Sequence, residues 1–130
     1  MAQRTYLNGP QGLSRKPKML NIRFFPAGAS NPTTSAQDIK GVASIVRNGT
    51  AGVWLITLQD SYKRLLSAQA TIQMSTATDL VPQIGDVANL GTATPVTLIV
   101  RANAVATPTD IAANANNSIS LSLIFDDADS

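Results

Sequence analysis

The segment over residues 39–60 constrains the fold of this chain most strongly, because it predicts a β-hairpin. Two runs rich in β-branched and large apolar residues, Val42–Arg47 and Val53–Gln59, flank Asn48-Gly49. Asn-Gly between two such runs indicates a hairpin turn, because both residues tolerate positive φ angles. Both faces of the second run are apolar, so we expect a central strand that is covered on both sides. One face holds Trp54, Ile56 and Leu58, and the other holds Val53, Leu55 and Thr57.

Four further segments have strand character: residues 20–26, 68–75, 95–101 and 118–125. The last of these is the clearest, because large apolar residues alternate with serines in it. Residues 26–37 and 102–116 are rich in Pro, Gly, Ala, Asn and Thr and predict loops. Residues 76–94 also predict mainly loop, with room for one short edge strand. Asp60-Ser61 predicts the start of a short helical turn that reaches Leu66.

Six or seven short strands with at most one helical turn predict an all-β fold of the β-sandwich type. Jelly-roll and immunoglobulin-like topologies are both open at this point. A chain of 130 residues suits one domain, which we place at residues 20–130. Residues 1–19 contain two Gly, two Pro and few apolar anchors, so they predict an extended N-terminal arm.

The absence of three residue types excludes most common catalytic chemistry. The chain has no Cys, no His and no Glu, and all eight acidic residues are Asp. Thiolate nucleophiles, disulfides, serine triads that use His, and His- or Cys-based zinc sites are therefore excluded. We expect no enzyme activity and no cofactor.

Schemes that use only Asp stay open, and we weigh each against turn formation. Asp126, Asp127 and Asp129 resemble part of a calcium loop, but the glycine and terminal glutamate of such a loop are missing. Asp60 could pair with Asp79 or Asp86 for glycoside cleavage. All three lie in turn-like sequence, where Asp is expected for backbone reasons, so we favour the structural interpretation.

The charge distribution singles out the arm as the candidate binding segment. Five basic residues precede the first acidic residue, Asp38, whereas the remainder has five basic and eight acidic residues. This pattern suits contact with an acidic protein surface or with nucleic acid. Nucleic-acid readers usually interleave more bases with aromatic side chains, so docking on protein is favoured. The candidate interaction residues are Arg4, Tyr6, Arg15, Lys16 and Lys18.

The stretch over residues 41–74 resembles small virion proteins of tailed bacteriophages, the head decoration or cement proteins. It combines a glycine-punctuated hairpin, an aromatic-bearing strand and a Thr-Leu-x-Asp-x-Tyr-x-x-Leu-Leu run. The residues that carry the resemblance are Arg47, Gly49, Gly52, Trp54, Thr57, Leu58, Asp60, Tyr62, Leu65 and Leu66. The resemblance implies a jelly-roll-like β-sandwich that assembles as a dimer or trimer and locks adjacent major capsid subunits.

We therefore expect a virion structural protein of the capsid surface, made in the host cytoplasm. Its expected partners are the major capsid protein and further copies of itself. No apolar run approaches the roughly 18 residues that a membrane span needs, so no membrane partner is expected. The alternative is a receptor- or carbohydrate-binding β-module of a phage tail or fibre, which would require Trp54 to be solvent-accessible.

Overall fold

The computed structural model describes residues 17–76, 78–104 and 107–126, and within them the chain is all-β with no helix. The nine strands of these residues have short connections. Their bounds are β1 Pro17–Ala27, β2 Ser30–Thr33, β3 Val42–Arg47, β4 Val53–Leu58, β5 Arg64–Gln73, β6 Leu80–Ala88, β7 Thr97–Ala104, β8 Thr107–Pro108 and β9 Ser118–Asp126.

The strands form two antiparallel sheets in a sandwich-like arrangement, as the sequence predicts. The first sheet has the order β2-β1-β9-β5, and the second has the order β3-β4-β7-β6 with the short β8 beside β7. The inner faces of both sheets contribute to one buried apolar cluster. Alternation with a period of two places these inner residues, because successive side chains of a strand point to opposite faces.

The predicted hairpin is confirmed. β3 and β4 pair from Val42↔Leu58 to Arg47↔Trp54, and residues 48–52 connect them. Gly49 and Gly52 have φ angles of 69° and 70°, which explains why glycine stands at both positions of this five-residue connection. β4 also pairs with β7, so its central position is confirmed. On its outer face Val53 is buried, whereas Leu55 and Thr57 are only partly buried, so the expectation of two covered faces is met at one of the three positions.

Aromatic side chains anchor the core at two points. The rings of Phe24 and Trp54 join the two sheets with centroids 5.8 Å apart and planes tilted by 60°. Tyr62 stacks on Phe125 at 4.3 Å, which fixes the β4–β5 connection against the first sheet. Tilted and offset aromatic pairs stabilise beyond the area they bury. Trp54, Phe24 and Phe125 are completely buried.

Two strands extend into segments where the sequence predicts other structure. β1 begins at Pro17, so residues 17–19 belong to the first sheet and not to the arm. β5 begins at Arg64, so the predicted helical turn through Leu66 is wrong. In both cases pairing with β9 wins over local preference, because β9 offers a full row of backbone partners from Ser118 to Asp126.

One strand lies where the sequence predicts a loop, and another is the edge strand for which the sequence leaves room, longer than expected. β2 covers Ser30–Thr33, a polar segment that contains Pro32. β6 covers Leu80–Ala88, although Pro82 and Gly85 disfavour a regular strand. Both are edge strands, and an edge position tolerates proline because one side of the strand needs no ladder hydrogen bond. None of the described residues forms a helix that is long and apolar enough to cross a membrane.

Candidate interaction surfaces

Of the five predicted arm residues, the structure describes only Lys18. It lies in β1, where its Cα pairs with that of Phe125, and its exposed side chain borders a shallow depression with Asp60, Ser61 and Tyr62. Its assignment to the arm is therefore wrong, because the ladder with β9 incorporates it into the sheet. Arg4, Tyr6, Arg15 and Lys16 lie outside the described residues.

An ion pair between β9 and β5 lies beside the first residue of β1. Pro17 pairs with Asp126 at the end of β9, and Asp126 pairs in turn with Arg64 at the start of β5. The Asp126 side chain is fully buried and accepts a hydrogen bond from the Arg64 guanidinium. Asp126 therefore belongs to the sheet as the last residue of β9, and its buried carboxylate needs a partner such as Arg64.

A second ion pair ties the β3–β4 turn to the segment before β9. Arg47 donates two hydrogen bonds to the Asp110 carboxylate, from Nε at 2.9 Å and from a terminal nitrogen at 2.8 Å. The backbone N–H of Gly52 donates a third, at 2.8 Å. The Arg47 hydrogen bonds lower the pKa of Asp110 against the opposing effect of burial, and the Gly52 N–H adds to the lowering. The Asp110 hydrogen bonds likewise raise the pKa of Arg47.

We call the group of Arg47, Asp110 and the Gly52 N–H the clamp, because it joins segments that are far apart in the sequence. Arg47 also receives support through its backbone N–H, which donates to the Asn31 side chain of β2 at 3.1 Å. Both charged side chains are partly buried, and two nitrogens of the Arg47 guanidinium donate to Asp110. The clamp thereby holds the hairpin turn, β2 and the 109–111 segment together at one end of the molecule.

The middle of the first sheet's outer face is polar, whereas Met19, which is 61% exposed, pairs with Ile124 at one end of it. β9 contributes Ser120 and Ser122, whose short side chains form the floor of a shallow groove. The longer side chains of the two flanking strands form its walls: Asn21 and Arg23 on β1, and Gln69 and Thr71 on β5. Arg23 is already engaged with Asp38 at 3.5 Å and with the ring of Phe25. This groove can offer hydroxyl and amide hydrogen bonds but little net charge.

The outer face of the second sheet is apolar at its centre. Its central row runs across four strands and consists of Val46, Leu55, Ile99 and Gly85. The next row consists of Ser44, Thr57, Thr97 and Ala88. No charged residue stands in either row. The three large members of the central row are half-buried, and the partly buried side chains that pack on the core do not include them.

The Asp-based catalytic and calcium hypotheses find no support in the geometry. Asp60 lies near the start of β7, because its backbone oxygen accepts a hydrogen bond from the N–H of Val96. Asp79 lies near the end of β7, because the next residue, Leu80, pairs with Ala104. The length of β7 separates them by roughly 20 Å, which is too far for a carboxylate pair. Asp86 pairs with Arg101 at 3.7 Å. Asp127 and Asp129 lie outside the described residues, which hold no cluster of potential metal ligands.

Trp54 does not meet the requirement of the carbohydrate-binding alternative. It has no exposed surface, and its ring packs against Phe24 in the core. Its Nε1 has no hydrogen-bond partner among the described residues, so the indole is present for its volume and not for a polar contact.

Comparison with known proteins identifies no relative of this chain: no protein-family model, curated protein or solved structure matches it.

Proposed function

We propose that this protein is a virion structural protein that binds the outer capsid lattice and stabilises contacts between major capsid subunits. The observation that carries the proposal is the surface of the sandwich. Both outer sheet faces are broad and poor in charge, and the described residues offer shallow depressions in place of an enclosed site. Surfaces with few charges are suited to burial against other proteins, because charge is costly to desolvate at the centre of an interface.

The basic segment before β1 is the proposed contact with the coat. Arg4, Arg15 and Lys16 precede Pro17, the first residue of the first sheet, and Tyr6 adds an aromatic side chain. These bases would meet acidic patches on the major capsid protein. Many weak contacts repeated over a lattice give strong overall attachment, because each bound site raises the effective concentration at the next one.

Two finer features belong to the same proposal. The sandwich is jelly-roll-like in the broad sense that the chain passes between the two sheets four times, before β3, β5, β6 and β9. The protein acts as a homo-oligomer on the capsid surface, since a multivalent unit bridges neighbouring coat subunits where a single attachment point cannot.

Co-sedimentation with purified capsids tests the proposal. We expect the full chain to bind particles with a copy number set by the lattice, and to bind more weakly as the salt concentration rises. Removal of residues 1–16, which leaves all of β1 in place, should reduce particle binding at least about tenfold while the melting temperature stays unchanged.

A matched control separates the segment from charge in general. Lys40→Gln removes one exposed base that lies far along the chain from the segment, and it should leave particle binding unchanged. If the full chain fails to bind capsids at any salt concentration, the proposed function is wrong. If the full chain binds and the 1–16 deletion binds equally well, the role of the segment is wrong.

A further inference from the structure

Gly85 stands where neither the backbone nor the protein interior requires glycine. It lies inside β6, opposite Ile99 of β7, and its φ angle is not in the positive region. A Cβ added at Gly85 would meet no atom within 4 Å. The irregularity in β6 that follows places its positive φ angle of 49° at Asp86 and not at Gly85. Glycine inside a strand lowers stability, and it often marks a place where another chain approaches closely.

Gly85 belongs to the central row of the second sheet's outer face. Across the four strands, this row presents Val46, Leu55, Ile99 and then Gly85. Large side chains therefore project from this row on β3, β4 and β7, and no side chain projects from it at Gly85 on β6. When the order of the strands is reversed, the same row becomes its own complement: Leu55 faces Ile99, and Val46 faces the open space at Gly85.

We infer that a second copy of this chain packs on the outer face of the second sheet, with a two-fold axis that runs parallel to the strands. Leu55 of one copy lies over Ile99 of the other, and Val46 of each copy fills the space above Gly85 of the other. Packed sheets keep their strand directions within about 30° of each other, which this arrangement respects. A two-fold contact is isologous, so one self-complementary row suffices for both sides.

The charges of this face favour a second copy over an acidic or basic partner. The two innermost rows are uncharged, and Arg101 in the flanking row is already paired with Asp86 of the same chain at 3.7 Å. The face therefore has no net charge that would attract a charged surface. Its small side chains, including Ser44 and Ala88, allow two sheets to approach to the ordinary spacing of about 10 Å.

The size of the face sets the expected strength. Four strands of up to eight or nine residues cover roughly 500 Å² per copy, which is about 1,000 Å² in total and near the lower limit for specific interfaces. We expect a dimer that dissociates on dilution. This inference rests on the homo-oligomer of the proposed function and names the surface through which it forms. A monomeric chain that still binds particles would overturn the inference and leave the capsid contact standing.

Sedimentation equilibrium of the purified chain over a range of concentrations tests the inference. The wild-type chain should be in a monomer–dimer equilibrium. Leu55→Lys places a charge at the centre of the contact, and Gly85→Val puts a side chain into the open space, where an added Cβ would meet no atom within 4 Å. Each variant should raise the dissociation constant at least about tenfold while circular dichroism and the melting curve show a folded monomer.

The control is Ile124→Lys, a similar change at a half-buried position on the outer face of the first sheet. It should leave the dissociation constant within about twofold of the wild-type value. If Leu55→Lys fails to fold, Gly85→Val decides the question. The inference is wrong if the wild-type chain stays monomeric at its highest soluble concentration, forms a trimer, dimerises equally well with Gly85→Val, or loses its dimer through Ile124→Lys.

Discussion

The outer faces of the two sheets differ, although their inner faces are alike. Both inner faces contribute large apolar residues to one core, from Ile119 and Leu121 in the first sheet to Ile56 and Leu98 in the second. Outside, the first sheet presents a groove of serine, amide and threonine side chains, whereas the second presents a flat apolar row. The inner faces must be alike because they share one interior. The outer faces are free of that constraint, so their side chains can differ.

The largest expected effect separates the two faces of β4 at neighbouring positions. Trp54→Ala empties a fully buried site and should lower the free energy of unfolding by about 3–5 kcal/mol. Leu55→Ala, one residue later on the outer face, should lower it by less than about 1 kcal/mol in the free monomer. Chemical denaturation at a protein concentration low enough to exclude association measures both. Equal losses would mean that the outer face is buried within the monomer and would end the comparison.

The next largest effect compares two glycines: Gly52 in the β3–β4 connection and Gly85 in β6. Gly52 has a φ angle of 70°, and an added Cβ would lie 2.3 Å from the backbone nitrogen of Thr109. Gly52→Ala should therefore lower the free energy of unfolding by at least about 2 kcal/mol. Gly85→Ala meets open space with an ordinary φ angle, so it should leave the monomer unchanged or about 0.5 kcal/mol more stable. Thermal unfolding of the two variants side by side measures the difference. A destabilised Gly85→Ala monomer would show that this glycine serves the fold and not a contact.

The smallest expected effect concerns the clamp at the hairpin end. The hydrogen bonds from Arg47 lower the pKa of Asp110 in the folded state, so its contribution to stability is present above the ordinary carboxyl pKa and is lost as the pH falls through the folded value. Asp110→Asn should lower the free energy of unfolding by about 1 kcal/mol at neutral pH, and by progressively less as the pH falls below about 4.

Asp86→Asn serves as the matched control for that measurement, because its side chain is largely exposed and its contact with Arg101 is longer, at 3.7 Å. We expect it to leave the stability at neutral pH unchanged. Denaturant titrations at several pH values compare the two variants. A loss for Asp110→Asn that persists undiminished at low pH would assign the effect to packing and not to the ion pair.

The β3–β4 hairpin and β9 could be predicted well from the sequence, whereas β2 and the start of β5 could not. The hairpin of β3 and β4 and the alternating strand β9 are confirmed because local alternation and an Asn-Gly turn are strong signals. The sequence predicts β6 only as a short edge strand, because Pro82 and Gly85 disfavour a regular strand and are tolerated at an edge. The sequence predicts a helical turn at the start of β5, because no local signal shows that these residues pair with β9.

The candidate surfaces could be predicted less well from the sequence than the strands could. Asp110 lies 63 residues from Arg47 in the sequence and Asp126 lies 62 from Arg64, so neither ion pair has a local signal. The sequence pointed to the arm because charge is visible in a list of residues. The sequence does not predict the central row of the second sheet's outer face, because the members of this row come from four different strands.

The residue types and their alternation are sufficient to establish an all-β chain with a charge-poor body, a basic first segment and no His- or Cys-based chemistry. Those properties depend on single residues and their near neighbours. The order of the strands, the buried state of Asp126 and the meeting of Val46, Leu55, Ile99 and Gly85 on one surface depend on long-range pairing. Pairing is a competition among all strands for shared partners and a shared core, so it is settled only when the whole chain packs.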